Sequence, residues 1–519
     1  MPSIGWCDNC NVPVLDASDC GICNTRSRIL RLSKPELKPI FEEEKKLYEG
    51  ILSRDFARNS PQVFFPEGMC FYNVMGEVVI EGKKIFRLSI DKKTRNWMIK
   101  FFKGSPKEIA ELEGSDLKST IRANQHLLEK KEKESAHFLS KAMKEFKHLP
   151  LAISFSGGKD SAVSLALTKL VAERFDVIFL NTTIEFKETV KYVRNLSRFW
   201  KFNLIETRPP KTFSELCEQL GPPSTKMKWC CKTQKFSPQN YLINKHYPKG
   251  VLVISGIRRL ESNIRSKFGR IQQNKMIPRQ ILAFPILDWS SLDVWLYIMW
   301  KKIPINPLYD LGFARIGCWA CPEKSLRDFK LIENFQPYLT EKLKEILNNY
   351  ADHNGIENPK AWIDNGAWRF RKTKWEKIAV CTSSQICSSN EQLVYTINDW
   401  SLVNRIKELM KIFGEVKQNK CMMKIRSNDI EISIIGNKMR VNFKKTDIMP
   451  IFEKQLMRAL NCVGCGACVG ICNVNALKIE SGKLIVNDKC TKCLRCVTAN
   501  GIKMSCVSLN YRPKMLYVT

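Results

Sequence analysis

At 519 residues the chain exceeds what one hydrophobic core usually supports, so three or more domains are expected. Its 84 Lys+Arg against 52 Asp+Glu give +32 at pH 7, which gathers nucleotides, nucleic acids or acidic electron carriers without choosing among them, since a lysine-rich proteome spreads the same charge over ordinary surface. No run reaches the roughly 18 to 20 uncharged apolar residues of a spanning helix and no basic-then-apolar signal opens the chain, so a cytoplasmic location without a membrane partner is expected.

In that reducing setting, 21 cysteines placed mostly as C-x-x-C read as metal ligands, not as disulfides. The first unit, residues 1–33, carries Cys7, Cys10, Cys20 and Cys23 as two knuckles. Four thiolates complete a tetrahedral Zn2+ shell, with an iron centre as the competing occupant, and a closed shell folds a zinc ribbon without catalysing. Lys34, Pro35, Lys38 and Pro39 break the periodicity and read as a linker. Residues 50–105 hold short β-rich runs, such as 78–80 and 85–88, between Gly76, Gly82 and charged turns, which fits a small β or α+β module. Residues 106–149 place Leu127, Leu128, Phe138, Leu139, Met143 and Phe146 at helical spacing, a helical lead-in that Pro150 ends.

Residues 150–330 alternate apolar strands (151–155, 177–180, 251–255) with helical patterns, which predicts an α/β domain with a parallel sheet. Between the first strand and its helix lies Ser156-Gly157-Gly158-Lys159-Asp160-Ser161. Gly157 and Gly158 permit close backbone approach to an anion, Lys159 adds charge, and Asp160 is a candidate ligand for Mg2+ if the nucleotide is ATP. The spacing is not that of a Walker A loop. Residues 331–450 are a helical stretch followed by an α+β segment whose role is unreadable, and residues 455–508 are dense in cysteine.

The loop resembles the pyrophosphatase loop (PP-loop) of adenine nucleotide α-hydrolase-like enzymes. With residues 181–189, 256–262, 285–289 and 307–310 in the same order, residues 151–329 resemble the phosphoadenosine phosphosulfate (PAPS) reductase family. That resemblance implies nucleotide contacts from the loop, Glu185 and Glu261, with Lys159, Asp160, Arg258 and Arg265 as catalytic candidates and Arg259 beside them. Thr183 and Lys187 stand where the family has Gly and Pro, so the turn is expected to be altered. Cys230-Cys231 and Cys318-x-x-Cys321 reproduce the arrangement by which adenylyl-sulfate reductases of this family hold a [4Fe–4S] cluster, with zinc as the alternative.

Cys462-x-x-Cys465-x-x-Cys468-x-x-x-Cys472 followed by Cys490-x-x-Cys493-x-x-Cys496 has the spacing of a two-cluster bacterial ferredoxin. Cys490, Cys493, Cys496 and Cys472 should share one [4Fe–4S] centre. The other, on Cys462, Cys465 and Cys468, meets Asn500 at its fourth position, leaving a three-iron cluster, a displaced ligand in Cys506, or no cluster. Cys70, Cys217, Cys381, Cys387 and Cys421 match no ligand spacing.

Two readings of function follow. One is an iron–sulfur reductase of adenylyl sulfate or PAPS, fed by a low-potential electron donor through the ferredoxin segment; no Glu-Cys-Gly tripeptide supplies the nucleophile used elsewhere in the family. The alternative is an ATP-dependent sulfurtransferase that adenylates and thiolates tRNA or DNA. A pure electron carrier leaves the nucleotide loop unexplained.

Overall fold

The computed structural model describes residues 3–34, 36–56, 64–92, 94–102, 106–109, 111–371, 377–385, 392–419, 422–498, 506 and 514–518. Asn500, Cys387 and Cys421 lie outside the described residues. No described helix is long and apolar enough to cross a membrane.

At the N-terminus, strands Ile4–Cys7, Val12–Leu15 and Arg28–Ile29 form a three-stranded antiparallel sheet. It rests on the long helix Leu117–Glu145, capped by the Asp116 carboxylate. The contact is polar at its centre: buried Asn124 accepts from the Leu15 N–H at 2.8 Å and donates to the Pro13 carbonyl at 2.8 Å. Gly21 donates its N–H to the Ala123 carbonyl, whose oxygen would lie 2.8 Å from any added Cβ.

The expected linker is instead structural. Leu37–Pro39 is a fully buried edge strand pairing antiparallel with Phe71–Asn73, and the five-stranded sheet continues through Glu77–Ile80, Lys83–Ile90 and Trp97–Phe101. The β module therefore begins ahead of residue 50. Prolines are tolerated on such an edge, where no ladder donor is needed. Lys38, which read as linker charge, bonds the buried Glu44 carboxylate at 2.6 Å, and Arg327 of the following domain bonds the same carboxylate at 2.7 Å.

Six strands form the nucleotide-domain sheet, in the order Asn203–Thr207, Asp176–Leu180, Leu151–Ser154, Val251–Ser255, Gln280–Ala283, Ile271–Gln273. The first five are parallel and the last is an antiparallel edge. Chain order reverses between Leu151–Ser154 and Val251–Ser255, so a crevice opens at their carboxyl ends, the place where α/β sheets bind ligands. Both faces are covered, which explains why these strands read as continuous apolar runs. Helices Lys159–Lys169 and Ser291–Trp300 pack into the core with Ile153, Val163 and Trp295.

Beyond helices Leu326–Phe335 and Pro337–His353 lies a seven-stranded sheet ordered Glu415–Gln418, Met422–Arg426, Ile430–Ile435, Lys438–Phe443, Gln392–Ile397, Lys377–Gln385, Lys514–Val518. Helices Val403–Met410 and Met449–Asn461 bury Ile406, Leu409, Phe452 and Leu456 with Ile425, Ile432 and Val441. Because Lys514–Val518 returns to pair with Lys377–Gln385, the ferredoxin-type stretch is inserted into this α+β unit. It contains the hairpin Leu477–Glu480 with Lys483–Val486 and two short helical turns.

Candidate active site

The loop after Leu151–Ser154 turns through Gly157 at φ 75° and enters its helix at Gly158. The Ser161 hydroxyl donates to the Gly158 carbonyl at 2.8 Å, tightening the turn, and the Lys159 N–H donates to the buried Tyr309 hydroxyl at 2.8 Å. Ser156 Oγ lies 3.3 Å from Ser161 Oγ. Gly256, ending the strand across the switch point, lies so close that an added Cβ would sit 2.4 Å from the Asp160 carbonyl carbon. Only glycine lets the two strand ends approach this closely.

Four charges alternate below the loop. The Lys159 ammonium bonds Asp160 at 2.6 Å, Arg258 Nε bonds the other Asp160 oxygen at 2.6 Å, and Arg258 Nη1 meets both oxygens of Glu36 at 3.1 and 3.0 Å. Burial pushes the Asp160 carboxyl up, and the Arg258 and Lys159 cations outweigh it, holding it down to about 2. Burial lowers the Lys159 value despite Asp160.

Two of the candidates are already paired within the protein. Arg258, named as a catalytic candidate, is buried and bonded to two carboxylates. Asp160, read as a magnesium ligand, has each oxygen occupied by a cation. Glu36, two residues from Lys38 in the expected linker, was invisible to sequence reasoning because its partner lies more than two hundred residues away. Glu261 accepts from the Arg258 N–H at 3.1 Å and pairs with half-exposed Arg265, while Arg259 bonds Asp288 at 2.6 Å. Of the arginines named from the sequence, Arg258 is buried, while Arg259 and Arg265 both keep partly exposed side chains.

Glu185 lies on the cysteine side of the crevice. Its carboxylate accepts from Thr182 Oγ1 at 2.8 Å and stands 3.7 Å from Cys318 Sγ. Thr183 keeps the left-handed backbone of a glycine, φ 63°, so the turn survives the substitution. A β-branched residue there is strained, and its hydroxyl partly offsets this by accepting from the Phe213 N–H at 3.0 Å. Lys187 opens the helix Lys187–Trp200, a first-turn position that suits proline as well.

Cys230 and Cys231 stand where the chain enters a π-helical turn, Cys231–Phe236, that runs directly into the helix Ser237–His246. Such turns are rare and cluster at functional sites. Hydrogen bonding from Cys230, aided by Lys235 and Lys228, holds the Cys231 thiol down to about 6 against burial, and Cys230 is pushed up. Interaction with Cys318 raises the Lys235 ammonium above the ordinary lysine value, while burial pushes the Cys318 thiol up to about 11. Cations thus gather where four thiolates would leave excess negative charge.

Among the described residues only Cys7, Cys10, Cys20 and Cys23 bring their ligand atoms within 4.8 Å of one another, the convergence a single ion demands. The other described cysteine sets do not converge to that distance. Cys472, Cys490, Cys493 and Cys496 line one cavity of about 260 Å³. Cys462, Cys465 and Cys468 line a narrower one together with Cys506 and Arg458.

The ferredoxin-type segment docks on the helix that follows Cys231. Ser237 Oγ donates to the Gly466 carbonyl at 2.7 Å, Asn244 Nδ2 to the Gly470 carbonyl at 3.1 Å, and Lys211 Nζ to the Val463 carbonyl at 2.7 Å. A Cβ on Gly470 would lie 2.6 Å from the Ser237 carbonyl oxygen. Cys465 and Cys230 consequently share one hydrophobic unit.

The switch-point crevice, glycine loop and parallel sheet define an α/β protein of the adenine nucleotide α-hydrolase-like class. A family profile, the phosphoadenosine phosphosulfate reductase domain, matches residues 150–324. The chain is 32% identical over 189 residues to an adenosine 5′-phosphosulfate reductase of Bacillus cereus, a match spanning 35% of this chain and 77% of that protein. The chain belongs to the phosphoadenosine phosphosulfate reductase family. It is also 36% identical over 252 residues to an uncharacterized protein of Methanocaldococcus jannaschii, covering 48% of this chain and 52% of that relative, so the chain spans about half of that relative's length. Among solved structures, a phosphoadenylyl-sulfate reductase from Candida auris in a phosphate complex aligns at 21% identity with a TM-score of 0.31, over 38% of this chain and 97% of that one.

Proposed function

We propose that the chain is an iron–sulfur reductase of an adenylyl sulfonucleotide, adenylyl sulfate or PAPS. The observation that carries this reading is the docking just described: a ferredoxin-type segment seated on the helix opened by Cys231, with Cys465 and Cys230 in one hydrophobic unit.

The nucleotide enters the crevice between Gly157 and Gly256. Its phosphate draws the Lys159 ammonium away from Asp160, while Arg258, anchored by Glu36, keeps Asp160 charged and in place. Arg265, exchanging Glu261 for the sulfate, orients the sulfuryl group toward Cys318. Reduction breaks the bond between sulfur and the oxygen bridging it to phosphate. The bridging oxygen leaves with the adenosine phosphate and keeps the bond pair, while two electrons from the low-potential donor, delivered one at a time, take the sulfur to sulfite. [4Fe–4S] clusters, held by Cys230, Cys231, Cys318 and Cys321 and by Cys472, Cys490, Cys493 and Cys496, supply one-electron transfer when bound. Lys235 offsets negative charge at Cys318, and Glu185 with Thr182 fixes the wall beside it. The quartet Cys7, Cys10, Cys20 and Cys23 holds zinc and folds the ribbon.

The sulfurtransferase reading is favoured by one observation, the +32 charge, which suits tRNA or DNA. A single anaerobic experiment separates the two. Iron-replete protein with a reductant is given adenylyl sulfate, PAPS or Mg-ATP. The reductase releases sulfite and an adenosine phosphate from a sulfonucleotide, and Lys159→Ala weakens that binding at least tenfold. Release of pyrophosphate from Mg-ATP only when tRNA or DNA is added would overturn it.

A further inference from the structure

We propose that Cys462, Cys465, Cys468 and Cys506 hold a second four-iron cluster in the ferredoxin-type segment, with Arg458 as the buried cation shared between it and the site of Cys472, Cys490, Cys493 and Cys496. The proposal rests on the iron–sulfur part of the reading above and is indifferent to which nucleotide binds.

The donor set comes first. Spacing alone assigns the fourth position to Asn500, and a carboxamide is a poor ligand for an iron–sulfur core, which selects thiolate. Cys506 lies six residues further on and lines the same cavity as Cys462, Cys465 and Cys468. The four sulfurs do not converge to the distance that the quartet Cys7, Cys10, Cys20 and Cys23 reaches around a single ion position.

Arg458 is the independent observation. It sits on the helix Met449–Asn461, is 3% exposed, and projects into that cavity. Its Nη1 donates to Gln455 Oε1 at 3.2 Å and to the Cys496 carbonyl at 3.4 Å, while Nη2 is buried with no acceptor. Among the described residues no carboxylate pairs with it. A guanidinium sealed from water without a counter-charge is strongly disfavoured. The groups around it that can carry negative charge are the sulfurs of Cys468, Cys496, Cys506 and Cys462, drawn from both cysteine sets. A cluster ligated by four thiolates is anionic, so loading both sites gives Arg458 a partner on either side. An empty site would leave the cation unbalanced.

Position gives the second cluster a use. Cys462 and Cys468 pack against the unit that includes Cys472, Cys490 and Cys496, whereas Cys465 belongs to the hydrophobic unit that includes Cys230. The proposed centre is therefore the middle one of three, between the outer ferredoxin site and the nucleotide domain.

The test uses full-length protein reconstituted anaerobically with iron and sulfide, read by iron analysis and by electron paramagnetic resonance. The oxidised protein should show no three-iron signal. Cys506→Ala should lose between one and four irons, with a three-iron signal if only one is lost. Arg458→Gln should retain its iron but shift the reduction equilibrium toward the oxidised state at least tenfold, or 59 mV for a one-electron couple. A three-iron signal in the unmodified protein, or iron content unchanged in Cys506→Ala, overturns the second cluster. Unchanged potentials in Arg458→Gln overturn the shared-cation role. Absence of iron throughout the protein removes the iron–sulfur reading together with the proposal.

Discussion

Glu36→Gln tests whether the charge chain beneath the nucleotide loop is one unit. The substitution keeps size and shape but leaves Lys159, Asp160 and Arg258 with one excess positive charge in a buried place. At the 3.0 Å separation of Glu36 and Arg258, and an effective dielectric near 20, the pair attraction is about 5 kcal/mol. Desolvation offsets part of it, and breaking a buried pair on one side typically costs about 3 to 5 kcal/mol. Glu36 also accepts from the Ser291 N–H at 3.2 Å, a bond the amide oxygen can retain. A loss of about 3 kcal/mol corresponds to about a hundredfold faster local opening. Hydrogen exchange by mass spectrometry should show that acceleration in peptides covering 151–161 and 251–261. Added sulfate should slow exchange again, because the excess charge now welcomes an anion. Acceleration of less than threefold, or confined to the strand at 37–39, would refute the idea that Glu36 supports the loop.

Gly256→Ala should abolish nucleotide binding in calorimetry while leaving ferredoxin-segment iron intact, because its Cβ would sit 2.4 Å from Asp160 backbone that cannot yield. Gly470→Ala pushes a methyl to 2.6 Å from the Ser237 carbonyl, so the cysteine-rich segment should separate from its helix; under the proposed function, stopped-flow reduction of the centre at Cys230, Cys231, Cys318 and Cys321 should slow at least tenfold with unchanged iron content. Acid should act through Asp160: its folded value is depressed to about 2, so its stabilisation is complete above about pH 4 and is lost as pH falls toward 2. Asp160→Asn should remove that part of the acid sensitivity, measured as the difference in melting temperature between variant and parent from pH 6 down to pH 2.

Features carried by short spacings were legible in the chain. The zinc-type quartet, the glycine loop and the parallel strands each depend on residues a few positions apart, and their geometry follows from backbone rules that act locally. The edge strand Leu37–Pro39 was not legible, since two prolines and two lysines in six residues look like a linker until the Phe71–Asn73 partner is present. The ferredoxin spacing was legible in its motif but not in its placement, because the returning strand Lys514–Val518 makes it an insertion.

Ion-pair partners form the class that sequence reading misses most. Arg258 carries a charge that suits an oxyanion, and nothing within its own motif says that Glu36 and Asp160 have already claimed it. The same blindness works in the other direction at Arg458, which no motif singles out yet which is buried with sulfur on both sides. In the first case neutrality is complete within the protein, so the arginine acts as a strut for Asp160. In the second it is incomplete, so the arginine points to what the site must hold. Whether a buried cation is a strut or a signpost is decided by its carboxylate partners, and those are set by the fold and not by the neighbouring sequence.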